Sequence, residues 1–191
     1  MTFDHKYNTK WLLDLHASGT TPEYLFFWGH RAKPNTVTKA CFSQWWPSKF
    51  SVDGQTYETA EHWMMAHKAK LFGANEIVSK ILQNPDPGAA KGWGRKVKNF
   101  DAQMWNANKL NIVIEGNLHK FRQNEPLQNF LLATKGKVLV EASPVDRIWG
   151  VGLAVDDKDI LSPEKWKGPN LLGYALMTVR DLLEAQRDDR S

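Results

Sequence analysis

Tyr57–Gly73 reads YETAEHWMMAHKAKLFG. Thr59 has the side chain of a helix N-cap and Gly73 stands just past a plausible last turn, so the spacing predicts a helix over 59–72. The start of that helix is unusual. A carboxylate and an imidazole, Glu61 and His62, are followed at once by Trp63, Met64 and Met65. Glu61, Met65, Lys68 and Phe72 recur at spacings of four, three and four, which puts an acid and a cation on one face nearly two turns apart. An acid in a first turn complements the helix dipole, and Glu–Lys pairs are common on wetted faces. Here the neighbours are bulky and apolar, and such surroundings suit a carboxylate for acid–base work.

On the N-terminal side, Phe42–Thr59 predicts a loop and then a hairpin, with Phe50 and Val52 alternating and Asp53–Gly54 at the turn. Further upstream, Tyr24–His30 (YLFFWGH) is an aromatic run expected to form a buried strand, and Pro34–Lys39 a polar loop. On the C-terminal side helix signals dominate. They cover Ala74–Leu82, Pro87–Gly92, Asp101–Phe121 and Pro126–Thr134, and a closing amphipathic helix over Asn170–Gln186. Lys137–Ser143 (KVLVEAS) is the second strand. The fold class is therefore α+β, mainly helical: one compact domain with short strands and a hairpin beside a helical core. Residues 1–23 read as an N-terminal extension, 24–186 as the domain and 187–191 as a frayed tail.

Composition narrows the function. The chain has 191 residues, 42% of them hydrophobic, which is enough for one substantial core. A net charge of +4 is compatible with phosphorylated ligands or nucleic acid and demands neither. The lone Cys41 excludes an internal disulfide and any cysteine-based zinc site. No stretch approaches a membrane span and the first residues lack an apolar signal core, so a cytoplasmic location without membrane contact is expected. His62 and His67, five apart, point away from each other around the helix, whereas a zinc pair needs three or four; no metal site is expected there. Nine tryptophans stand out. They serve either as core or as walls for a flat heterocycle.

Two further segments carry chemistry. Pro87–Phe100 (PGAAKGWGRKVKNF) interleaves glycines with Lys91, Arg95, Lys96 and Lys98, a pattern that fits either phosphate contact or a solvated basic loop. Ser143–Asp157 follows the second strand and carries Asp146, Trp149 and two glycines. A strand-end loop is a common place for a site, and an Asx turn at Asp146 is the structural counterpart. No GxSxG elbow is present, and Cys41 lacks the setting of a nucleophile. A helix-borne Glu, a loop Asp, several Trp and scattered cations suit cleavage at an anomeric carbon: a carboxylate activates water or steadies an oxocarbenium ion while a ring holds the leaving base.

The chain also resembles the NADAR family, the YbiA-like proteins, from about Phe26 to Leu183. The shared blocks are FFWG (Phe26–Gly29), Pro47–Ala69, Gly94–Arg95, Trp105–Phe121, Leu131–Leu153 and Gly168–Leu183. The resemblance implies an N-glycosidase acting on ribosylated nitrogen bases. Two substrate classes follow from it: phosphoribosylamino-pyrimidine intermediates of riboflavin biosynthesis, and ADP-ribosylated guanine in nucleic acid. It further implies Glu61 and Asp146 as catalytic residues, with Trp105, Trp149, Lys68, Gly94, Arg95, Asn170 and Phe27 as substrate-binding residues. No cofactor or metal is implied. A non-catalytic ADP-ribose or nucleotide reader and a plain nucleic-acid binder stand as rival readings, and the sequence carries no statement on oligomeric state.

Overall fold

The computed structural model describes residues 2–33 and 36–188. Pro34 and Asn35, within the expected polar loop, and 189–191, within the expected tail, lie outside the described residues. Among those described are seven α-helices and four short strands, so the chain is α+β and mainly helical, as its patterning indicates. Contacts divide it into two compact units, Gln44–Glu125 and Phe3–Ser43 with 126–188.

The Gln44–Glu125 unit is built around one helix. A hairpin of β2 (Phe50–Val52) and β3 (Gln55–Tyr57) precedes it. Asp53 and Gly54 both take positive φ, 50° and 78°, the backbone that a two-residue turn between twisted strands requires. Helix α2 (Ala60–Leu71) follows, with Thr59 as N-cap and Gly73 at φ 69° beyond its end. It packs against α3 (Asn75–Leu82), α4 (Pro87–Gly94) and α5 (Ala102–Arg122). That surround explains why the first two turns of α2 are buried on all sides: residues 60–66, Glu61 and His62 among them, are all buried. Helix α4 runs through Gly92 to Gly94, two residues past the expected stop. Gly94 is needed where it stands, because a Cβ there would lie 2.2 Å from Met65 Sδ.

In the second unit the first element is a helix that the sequence reading did not foresee, α1 (Thr9–Ala17), inside the expected extension. Asn8 caps it by accepting from Trp11 N (2.9 Å), and Trp11 meets Tyr174 edge-on at 6.5 Å. Strand β1 (Glu23–Phe27) is shorter than the expected buried run: Glu23 is exposed, the next three residues are half-buried, and only Phe27 is buried. It pairs in parallel with β4 (Lys137–Glu141), with Phe27 opposite Glu141. A parallel pair needs a long crossover; here the intervening chain includes the whole of 44–125. A 3₁₀ turn at Lys39–Phe42 puts Phe42 against Phe27, with ring centres 5.4 Å apart. After α6 (Glu125–Leu132), helix α7 (Leu171–Asp188) packs on β4. Arg180, only 4% exposed, donates to Thr134 O and Lys137 O and so fixes α7 to the start of β4.

Candidate functional site

Five of the expected site residues, Glu61, Lys68, Gly94, Arg95 and Trp105, belong to the first unit. Glu61 is buried, and its backbone N–H donates to Gln44 O at 2.9 Å. The imidazole beside it has a structural task. A backbone carbonyl can only accept, so His62 Nε2 carries the hydrogen donated to Asn84 O (2.8 Å), and Nδ1 accepts from the Thr59 hydroxyl (2.8 Å). Burial holds the His62 pKa below its ordinary value, which keeps that ring neutral.

Lys68 lies seven residues beyond Glu61 on α2, almost directly in line with it and roughly 10 Å along the axis. Its Nζ stands over two rings, 4.6 Å from the centre of Phe100 and 5.7 Å from that of Trp105. Burial, and then the nearby Arg95 charge, lower the Lys68 pKa. Lys68, Arg95, Trp105 and Phe100 therefore make one cation–aromatic cluster, suited to an anion beside a planar ring. Gly94 supplies its close packing by admitting Met65. The basic–aromatic pattern continues along α3 and α4: Lys80 and Lys96 lie 4.7 and 4.2 Å from the Trp93 ring centre, and Lys91 lies 5.7 Å from that of Trp45.

The other expected residues belong to the second unit, around the carboxyl ends of β1 and β4. Asp146 Oδ1 accepts from Ile148 N (2.8 Å) and Trp149 N (2.7 Å), an Asx turn that shapes the loop. Ser143 Oγ accepts from Asp146 N at 3.1 Å. Trp149 is half-buried. Asn170 is fully buried at φ 56°, and its amide is spent on the backbone of β4, accepting from Glu141 N and donating to Leu139 O. That pairing makes Asn170 the joint between β4 and α7. Phe27 is also buried, packed on Phe42, while its neighbour Trp28 is exposed.

Gln44 and Asn117 were not singled out by sequence reasoning. Asn117 Nδ2 donates to Gln44 Oε1 and to Val113 O, both at 2.8 Å, and Gln44 in turn holds the start of α2 through its carbonyl. Among the described residues Gln44 Nε2 and Asn117 Oδ1 have no hydrogen-bond partner although both residues are buried, an expensive arrangement for a core. The available signal was a polar Asn117 on the buried stripe of Val113, Ile114, Leu118 and Phe121. Among the described residues no three His, Cys, Asp or Glu side chains converge to hold a metal, and no described helix is long and apolar enough to cross a membrane.

Comparison with known proteins supplies context for this geometry. The NADAR domain family model matches residues 26–184. "N-glycosidase R617" of Acanthamoeba polyphaga mimivirus is 43% identical over 166 residues, covering 84% of this chain and 96% of the relative. "N-glycosidase YbiA" of Escherichia coli (strain K12) is 32% identical over 142 residues, 74% of this chain and 79% of the relative. The NMR structure of E. coli YbiA superposes with a TM-score of 0.70 at 27% identity, covering 88% of this chain and 89% of that one. The maize "Riboflavin biosynthesis protein PYRR, chloroplastic" is 34% identical over 132 residues, which are 65% of this chain and 19% of that protein.

Proposed function

This chain belongs to the NADAR domain family, and we propose that it hydrolyses the N-glycosyl bond of a phosphorylated N-riboside, freeing the sugar phosphate from a planar base. The reading takes 24–186 as one functional domain. Water attacks the anomeric carbon, the C–N bond breaks, a carboxylate accepts the proton of the water, and the leaving nitrogen is protonated. Glu61 takes the water's proton or steadies the ribosyl cation; Asp146 binds a ribose hydroxyl or shares the proton transfer. Arg95 and Lys68 receive the phosphate, and the family resemblance assigns Trp105 and Trp149 to substrate binding.

The observation that carries this reading is the alignment on α2. A buried carboxylate in the first turn and a desolvated ammonium two turns on, beside Trp105 and Phe100, share one face. A phosphorylated sugar offers the matching pair of functions, an electrophilic carbon at one end and an anion at the other. The preferred substrate is a phosphoribosylamino-pyrimidine of riboflavin biosynthesis, a choice supported by the name of the maize relative, a riboflavin biosynthesis protein. The lysines around Trp93 and Trp45 favour a second reading, removal of ADP-ribose from guanine in nucleic acid, because a polyanion would follow them.

The test sets both substrates side by side, with wild type and Glu61→Gln. Ribose 5-phosphate released by wild type, and reduced by about 10²–10⁴ in rate in the variant, is the expected result. Release of ADP-ribose alone replaces the first substrate with the second. Ligand binding without cleavage of either makes the protein a reader and ends the hydrolase proposal.

A further inference from the structure

The FFWG segment holds two adjacent rings with opposite fates. Side chains alternate along a strand, and Phe27 turns inward, 2% exposed and edge-on to Phe42. Trp28 turns outward and is 58% exposed. Trp28 is the first residue past β1, and Gly29 follows it at φ 78°. A single exposed ring is ordinary, whereas one grouped with other exposed apolar side chains marks something to be bound.

Its position indicates what that is. Strands β1 and β4 run in parallel, and Ala142 N donates to Phe27 O at 2.9 Å. The register therefore carries Trp28 alongside the residues that open the loop of Asp146 and Trp149. In parallel α/β arrangements the carboxyl ends of strands are where ligands bind. Val145 and Ile148, in the same loop, are 81% and 53% exposed, so the edge presents apolar surface beside the Asx turn that Asp146 organises. A planar, polar-edged heterocycle fits such a ring better than a lipid or a peptide helix does, because the apolar surface is small and is bordered by Asp146 and Arg147.

We propose that Trp28 is the stacking platform for the planar base of the substrate and a specificity-determining residue for the leaving group. The inference rests on the N-glycosidase reading and deepens it. It transfers the ligand-facing role within the segment from Phe27 to Trp28. Phe27 then acts from beneath, fixing the strand end that carries the platform.

The experiment measures calorimetric binding of free 5,6-diaminouracil, a base probe that needs no turnover, to wild type, Trp28→Ala and Trp28→Phe. Steady-state constants for a phosphoribosylamino-pyrimidine are measured in parallel. Stacking on one ring predicts a Kd about 5- to 150-fold weaker in Trp28→Ala and near-complete recovery in Trp28→Phe. KM is expected to rise by a similar factor while kcat changes by less than about threefold, a split that a merely structural residue would not give. Unchanged affinity in Trp28→Ala overturns the proposal, and so does failure of wild type to bind the probe. If the probe binds through Trp28 but nothing is hydrolysed, the platform stands and the hydrolase reading fails. Equal melting temperatures of the three proteins exclude misfolding as the cause.

Discussion

A Cβ on Gly116 would lie 2.3 Å from Cδ1 of Trp63 and 2.9 Å from its Nε1. Helix α5 can lie against α2 only because that methyl is missing. The indole is further fixed by its Nε1–H donating to Ile112 O at 2.8 Å and by stacking on His67 at 3.7 Å, so it has no cheap way to move. Gly116→Ala is expected to cost about 1–3 kcal/mol by overpacking, offset by at most about 1 kcal/mol of helix propensity. Gly92→Ala is the control: nothing lies within 4 Å of its added Cβ, and its φ is not positive. Thermal melts should show Tm falling by a few degrees in the first variant and holding or rising in the second. Equal Tm values for both would refute the packing argument.

Acid should unfold this protein sooner than its carboxylates alone would require. His62, His67 and His119 all have pKa values lowered by burial. Glu115 and Asp53 pull His119 back upward, and Lys70 adds to the lowering at His67. A lowered histidine favours the neutral ring in the fold. The unfolded chain therefore takes up protons near pH 6.5 while the folded chain does so only at lower pH. Stability is then complete above about pH 7 and falls as pH drops through 6.5 toward the lowered values. Tm measured from pH 8 to 5 should trace that decline, and His119→Gln should make it shallower. An identical decline in wild type, His67→Gln and His119→Gln would remove these two rings as its source.

Lys68 gives a prediction on the alkaline side. Burial and Arg95 lower its pKa below the ordinary 10.5, so the ammonium loses its proton earlier than an exposed lysine would. If it holds the phosphate, KM should rise as pH increases through that lowered value while kcat changes little. Lys68→Arg keeps its charge throughout and should flatten the rise, whereas Lys68→Met should have a high KM at every pH. The measurement is KM between pH 7 and 10. Parallel curves for wild type and Lys68→Arg would assign the alkaline rise to another group.

These elements were not equally legible in the sequence. Thr59, Asp101 and Asp53–Gly54 announce themselves because each meets a local need. Two side chains accept from the N–H groups of a first helical turn, and one pair takes positive φ. The α1 helix was missed because it is held by partners far along the chain, Trp11 by Tyr174 and Tyr7 by Asp181. Gly92 reads as the end of a helix, yet α4 runs on to Gly94, where close approach to Met65 outweighs a glycine's poor propensity. The choice between Phe27 and Trp28 depends on which way the strand faces, and two neighbouring aromatic residues do not encode that. Gln44 and Asn117 meet across 73 positions, beyond the range of any periodicity.

Asp146 carries two tasks that a pair of substitutions can separate. Its Oδ1 accepts from Ile148 N and Trp149 N, so removing the side chain unpairs two backbone donors and should loosen the loop that positions Trp149. Asn keeps an oxygen at that place and preserves the turn, while it abolishes the negative charge. Asp146→Asn should therefore melt within about a degree of wild type, and Asp146→Ala should lose about 1–2 kcal/mol, the usual scale for orphaning backbone donors. Activity sorts differently. If the carboxylate takes part in proton transfer or steadies the ribosyl cation, Asp146→Asn should lose about 10²–10⁴ in kcat despite its intact fold. If Asp146 only shapes the loop, Asp146→Asn should retain kcat, leaving Glu61 as the acting carboxylate. Combining kcat with Tm for the two variants thus decides whether the Asx turn is all that Asp146 provides.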